Sequence, residues 1–245
     1  MISSSAQGIA LARAAKRLLG PSVCVGCALP ALGDAADLLP AELACTAGMV
    51  PQRRKEFAAG RAAVRMATMA DGSEPFAVPM GADRAPVWPT GIIGSIAHSS
   101  DICLAAISRS KRYAAIGIDI EPNVPLGPDI AAEVVHEGDG LGLEGGAAPL
   151  AEHDHVKVFS AKEAAYKCQF PLTGSVLGFD ALSIRLMPQS HSFVARFEES
   201  VGSFRAGDTL DGGYALVGGH VLTVASITTE RWEKLISSEA QVAHG

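Results

Sequence analysis

Two carboxylates stand in an apolar frame in Ile116-Gly117-Ile118-Asp119-Ile120-Glu121. On a strand, the side-chain period of two sends Ile116, Ile118 and Ile120 to one face and Gly117, Asp119 and Glu121 to the other. The α-carbons of Asp119 and Glu121 then lie roughly 6.5 Å apart, from which both side chains can reach one hard divalent cation at about 2.0 to 2.1 Å. Gly117, on the same face, leaves room beside them. The plain alternative is a half-exposed strand end whose acids face water.

A third carboxylate lies in Phe159-Ser160-Ala161-Lys162-Glu163-Ala164-Ala165-Tyr166-Lys167. At helical spacing Phe159, Glu163 and Lys167 share a face, so an acid is bracketed by the ammonium groups of Lys162 and Lys167. Ser160 followed by Glu163 also has the form of a capping box, in which Glu163 would only satisfy a backbone N–H at a helix start.

Cationic chemistry is concentrated in Arg53-Arg54-Lys55-Glu56-Phe57-Ala58-Ala59-Gly60-Arg61, continuing to Arg65, with Arg54, Arg61 and Arg65 on one helical stripe. A stripe of this kind is ordinarily a solvated face. Gly60 within the helix costs about 1 kcal/mol relative to Ala, which points to a close approach by backbone or ligand. Gly94-Ser95-Ile96-Ala97-His98-Ser99-Ser100 places small polar residues and one imidazole at a strand end, where N–H and hydroxyl groups can receive a phosphate.

Elements must hold these groups in place. We expect helices over 8–19 and in two pieces through 40–69 with a break at Pro51, a short helix at 129–136, and a helix over 156–169. Strands are expected at 23–29, 102–108, 114–121, 182–186, 192–197, 214–217 and 220–227, with Gly218-Gly219 forming a tight hairpin. The glycine-rich stretch within 122–150 reads as an irregular connection, and His153-Asp154-His155 as loop. This order is α+β, with antiparallel strands packed against a few helices.

With 245 residues, 48% of them hydrophobic, the chain can bury one large core or two smaller ones without disulfides or structural metals. The formal charge of −6 argues against general nucleic-acid binding, so any anionic ligand must meet a local basic patch. No apolar run is long enough for a membrane span, and no secretory signal opens the chain, which gives a cytoplasmic expectation. The odd set Cys24, Cys27, Cys45, Cys103 and Cys168 reads as reduced thiols, and the Cys24–Cys27 pair lacks partners for a zinc site.

Taken in order, R-R-x-E-F-x-x-G-R, W-P-x-G-x-x-G-S-I-x-H, G-I-D-I-E-P and F-S-A-K-E-A-x-Y-K resemble the motif series of the 4'-phosphopantetheinyl transferase superfamily, in the branch serving siderophore, nonribosomal-peptide and polyketide synthases. The match spans residues 53–174. It departs at Ala97, commonly Ser or Thr in the family, and in the glycine-rich segment 138–146.

The resemblance implies a two-lobed α+β monomer with pseudo-twofold symmetry and its active site between the lobes, drawn at residues 1–120 and 121–245. It implies transfer of the phosphopantetheine arm of coenzyme A to a serine of an apo acyl or peptidyl carrier protein, with release of adenosine 3',5'-bisphosphate. Asp119, Glu121 and Glu163 would hold Mg²⁺, with Glu163 also the general base, directly or through a water, and Lys167 offsetting leaving-group charge. Coenzyme A would meet Arg53, Arg61, Arg84, Ser95, His98, Asp119, Lys162 and Lys167. Two other readings of the same residues stay open: a metal-dependent pyrophosphohydrolase, and a noncatalytic module that binds coenzyme A or a carrier.

Overall fold

The computed structural model describes residues 5–143 and 146–242. The chain divides into two compact units, Met1–Ser110 and Lys111–Gly245. The boundary drawn from the sequence at 120/121 would cut through a strand that pairs along its length within the second unit.

In the first unit, helix α1 (Ala6–Leu19) starts where the Ser5 hydroxyl accepts from the Gly8 N–H, and it stops at Gly20, which has φ 90°. Strand β1 (Cys24–Ala28) follows. The expected first helix of 40–69 is only a turn, α2 (Pro40–Leu43), continued by the 3₁₀ segment Ala44–Thr46. The long helix α3 (Pro51–Ala70) begins with Pro51 in its first turn, where the missing N–H would have no helical partner anyway. Strands β2 (Ile93–His98) and β3 (Cys103–Ser108) complete an antiparallel sheet of order β1-β3-β2, and every residue of the central strand β3 is buried.

Helix α3 lies on β1 and β3. Its seat is made of small residues: a side chain at Gly26 would put its Cβ onto the Ala63 carbonyl oxygen and within 2.5 Å of the Ala67 nitrogen. The mid-helix Gly60 has a similar reason, because a Cβ there would come within 3.2 Å of Ile96 on β2. The buried Cys103 thiol donates to the Glu56 carbonyl of α3 at 3.7 Å.

The second unit opens with β4 (Tyr113–Pro122) and α4 (Pro128–Val134). The glycine-rich connection, read as irregular, carries two short strands, β5 (Gly140–Leu143) and β6 (Gly146–Ala148); Glu144 and Gly145 of that segment lie outside the described residues. Helix α5 (His155–Thr173) is followed by β7 (Leu182–Met187), β8 (Ser192–Phe197), β9 (Thr209–Val217) and β10 (His220–Thr228), and α6 (Thr229–Val242), which has no counterpart in the sequence expectations, closes the order. The seven strands run β4-β10-β9-β8-β7-β5-β6, and only β5 and β7 are parallel. Gly218 and Gly219, both with positive φ, make the expected hairpin between β9 and β10.

Helix α5 packs on β4 and β10. Ala161, Ala164, Ala165 and Cys168 form its inner face, in one core with Leu182, Ile184, Phe193, Phe197 and Phe204. A Cβ at Gly117 would coincide with the Ala164 carbonyl oxygen and lie 2.7 Å from the Cys168 nitrogen. The space beside the acidic pair is therefore filled by the backbone of α5. Among the described residues, no helix is long and apolar enough to cross a membrane.

Candidate active site

The close seat of α5 on Gly117 sets the chemistry of the second unit, because it lowers the outer side chains of the helix onto the acidic face of β4. Lys167 reaches Asp119 Oδ1 at 2.6 Å and stands 3.7 Å from Glu163 Oε2. Asp119 is 3% exposed, so its second oxygen also needs a donor, and the Ser160 hydroxyl supplies it at 2.8 Å. Ser160 is paired in turn with Thr223 Oγ1 at 2.8 Å, and Thr223 sits opposite Asp119 in the β4–β10 register. Ser160 and Thr223 are functional neighbours that the sequence reading missed. A register between two distant strands leaves no local signal.

The capping-box alternative for Glu163 is excluded. Helix α5 begins at His155, so Ser160 lies inside it, and its hydroxyl is directed at Asp119 and Thr223. Of the strand acids, Asp119 does not face water: it is buried, whereas Glu121, like Glu163 on α5, is half-buried.

Asp119 and Glu163 share the Lys167 ammonium while Glu121 makes no ion pair with it, and the ionisation of the acids follows that imbalance. Burial pushes the Glu121 carboxyl up to about 7, with Asp119 and Glu163 adding repulsion and Lys167 opposing it. Burial also raises Glu163, partly offset by Lys167. For Lys167 burial works against the charge, yet Asp119 and then Glu163 outweigh it and hold the ammonium above its ordinary range. Among the described residues, no group of three or more His, Cys, Asp and Glu side chains is arranged as a cage that could hold a metal ion, so Asp119, Glu121 and Glu163 do not converge as a preformed three-carboxylate site. Mg²⁺ seldom uses such a cage; it takes one or two carboxylates and fills its remaining positions with substrate phosphate and water. A cluster of hard oxygen donors with excess negative charge matches that habit.

The first unit gathers the opposite charge. Arg53, on the first turn of α3, donates to His98 Nε2 at 2.6 Å and to Glu56 Oε2 at 3.3 Å. Glu56 lies 3.7 Å from the same imidazole nitrogen and thus links the pair; its place three residues after Arg53 was visible in the sequence. Arg53 and His98 are both exposed. Ser95 is buried on β2, and Arg84 is exposed at the tip of a loop closed by Gly81 N–H to the Ala85 carbonyl at 2.8 Å, with φ 67°.

Two expected phosphate contacts take other positions. Arg61 is 6% exposed, donates to the Val78 carbonyl at 2.7 Å and the Pro79 carbonyl at 3.4 Å, and stacks 3.9 Å over the Phe57 ring. Burial lowers it to about 10, and its work here is to hold the Val78–Pro79 segment. Arg65 likewise turns inward to the buried Glu42 at 3.0 Å, so the supposed basic stripe is largely a set of internal ties. Lys162 is 2% exposed and bonds to the Val134 carbonyl at 2.9 Å, the Phe179 carbonyl at 2.8 Å and Asp139 at 2.9 Å. Burial lowers its pKa against the pull of Asp139. An ammonium has three N–H donors, and all three are engaged with these protein oxygens.

Comparison with known proteins identifies relatives of both units. Residues 40–108 match the 4'-phosphopantetheinyl transferase N-terminal domain, and residues 115–225 match the 4'-phosphopantetheinyl transferase superfamily. The chain is 36% identical over 195 residues to the 4'-phosphopantetheinyl transferase Svp of Streptomyces mobaraensis, covering 78% of each protein. It is 32% identical over 203 residues to Npt of Nocardia iowensis, covering 77% of this chain and 89% of the relative. Enterobactin synthase component D of Salmonella typhi is 32% identical over 143 residues, 57% of this chain and 58% of the relative. Family matches over residues 40–108 and 115–225 and relatives of this identity and coverage lead to one conclusion: the chain belongs to the 4'-phosphopantetheinyl transferase superfamily.

Proposed function

We propose that this enzyme transfers the 4'-phosphopantetheine group of coenzyme A to a serine of an apo acyl or peptidyl carrier protein, releasing adenosine 3',5'-bisphosphate, and that it does so with Mg²⁺ held by Asp119, Glu121 and Glu163. The observation that carries the metal assignment is the pairing of Asp119 and Glu163 with the ammonium of Lys167, while Glu121, two residues along the same face of β4, is pushed up to about 7 by burial and its acidic neighbours. When bound there, Mg²⁺ would neutralise charge on the pyrophosphate of coenzyme A.

The chain's own residues supply the remaining chemistry. Glu163, with its raised pKa, takes the proton of the carrier serine as that oxygen bonds to phosphorus and the bond to the adenosine bisphosphate breaks. Lys167 stays protonated and offsets the charge that develops on the departing phosphate. Ser160 and Thr223 keep Asp119 oriented. In the first unit, Arg53 and Arg84 offer cationic contacts, and His98 an imidazole N–H, to phosphate groups of coenzyme A.

We place the enzyme in the cytoplasm as a monomer. Its five cysteines are free thiols, which suits a reducing compartment. The carrier belongs to a synthase of the siderophore, nonribosomal-peptide or polyketide type.

The test incubates the purified protein with coenzyme A, Mg²⁺ and several apo-carrier proteins and weighs the carriers. A mass gain of one phosphopantetheine group on a serine is expected, and none with Glu163→Gln. Consumption of coenzyme A at the same rate without a carrier would instead identify a pyrophosphohydrolase.

A further inference from the structure

The Lys162 ammonium and the Asp139 carboxylate form an ion pair sealed from solvent, with side chains 2% and 0% exposed. Such a pair contributes little net stability over apolar residues of the same shape, so its retention calls for a second reason. The partners give one. Asp139 Oδ2 accepts from the His136 N–H at 2.9 Å and Oδ1 from the Ile184 N–H at 2.6 Å, which fixes it to the chain after α4 and to β7. Lys162 adds the carbonyls of Val134, at the end of α4, and of Phe179.

Leu177, Gly178, Phe179 and Leu182 line a cleft of about 180 Å³ together with Lys162, Glu163 and Tyr166 on α5. Lys162 precedes Glu163 directly. One buried ammonium therefore joins the cleft wall, through the Phe179 carbonyl, to the helix residue beside the proposed base, and Asp139 joins both to the strand beneath Leu182.

We propose that Lys162 and Asp139 are positioning residues that hold the Leu177–Phe179 wall and the Glu163 segment of α5 in fixed register, and that Lys162 makes no contact with phosphate. The inference rests on the reading of Glu163 as the base. Displacing a reacting group by about 1 Å can cost about a hundredfold in rate, so the effect is expected in kcat.

The test uses the full chain with Asp139→Asn and with the paired Lys162→Met/Asp139→Asn, since removing Lys162 alone would leave a buried unpaired carboxylate. Three measurements are made on each: coenzyme A affinity by calorimetry, transfer kinetics with an apo-carrier, and amide hydrogen exchange across 177–179. For the paired variant we expect coenzyme A affinity within about threefold of the parent, kcat lower by about ten- to a hundredfold, and faster exchange in the wall. Asp139→Asn, which leaves the buried Lys162 ammonium without its counter-charge, should show the same pattern at least as strongly. A loss of coenzyme A affinity of about tenfold or more with exchange unchanged would make Lys162 an anion ligand and overturn the inference. So would an unchanged kcat in the folded paired variant, or failure of both variants to fold, which would make the pair a requirement of the fold alone. Absence of transfer by the parent protein would sink the proposed function instead, and the exchange measurement separates that result from this one.

Discussion

The two long helices, α3 and α5, use one backbone device for opposite electrostatic ends. Each lies on a strand glycine, Gly26 or Gly117, whose missing side chain admits the carbonyl of an alanine on the helix. Above that seat α3 presents Arg53 and Glu56 to His98, while α5 presents Glu163 and Lys167 to Asp119. The first assembly exposes a guanidinium beside an imidazole, and the second assembles acids in excess of their nearby ammonium. Helix-on-glycine packing thus fixes distance, and the outer residues alone decide whether the place suits an anion or a cation.

The largest expected effect breaks the acidic side of this comparison. Asp119→Asn keeps an oxygen that can accept from Ser160 but removes the charge, and transfer should fall on the order of a thousandfold with melting temperature nearly unchanged. Carrier mass shifts and calorimetry check both halves; full activity in a stable variant would remove Asp119 from the site.

Next come the two seats. Gly117→Ala and Gly26→Ala should each cost about 1 to 3 kcal/mol, because a Cβ forces helix and strand apart. Only Gly117→Ala should also lower kcat, by about a hundredfold, since it lifts Glu163 and Lys167 from Asp119. Gly26→Ala should raise KM for coenzyme A instead, and equal kcat losses in both would erase the distinction between the units.

A smaller change sharpens the cationic side. Arg53→Ala should raise KM for coenzyme A about tenfold, the loss of roughly 1.4 kcal/mol, with kcat little altered. A fall in kcat with KM unchanged would contradict an anion-contact role.

The acidic pair was legible because it needs only the local alternation of β4, and Glu163 with Lys167 because i and i+4 meet on any helix. The burial of Lys162 and Arg61 was not. It depends on Asp139 and on the Val78–Pro79 carbonyls, partners supplied by loops whose path no periodicity encodes. Strands β5 and β6 escaped notice for a related reason: glycines such as Gly140 and Gly142 carry no alternation, and β5 pairs with β7 at only two positions. Helix α6 was passed over although its Trp232 packs 5.5 Å from Phe204, because a terminal amphipathic segment resembles solvated chain until its partner is known.

The smallest effect concerns pH. The carboxyl of Glu121 ordinarily titrates at 4.5 and is pushed up to about 7 in the fold. A raised carboxyl favours the protonated form, so its contribution to stability is full below about pH 4.5 and is lost as pH rises through about 7. Mg²⁺ competes with that proton. Added Mg²⁺ should raise the melting temperature by a few degrees at about pH 8 and leave it unmoved at about pH 5. A Glu121→Gln variant should lose less stability between about pH 5 and pH 8 and show a smaller Mg²⁺ shift than the parent, and one that behaves like the parent would move the effect to another group.

Each helix seat also contains a sulfur. Cys103 lies beneath α3, Cys168 lies in the face of α5 that meets Gly117, and burial pushes both thiols up to about 12. At neutral pH an alkylating reagent finds almost no thiolate at either position and must wait for the helix to lift away. The labelling time of each sulfur is then a stopwatch for the opening of its own seam, readable by peptide mass in one sample, and it times the motions of the acidic and the basic halves without any substrate present.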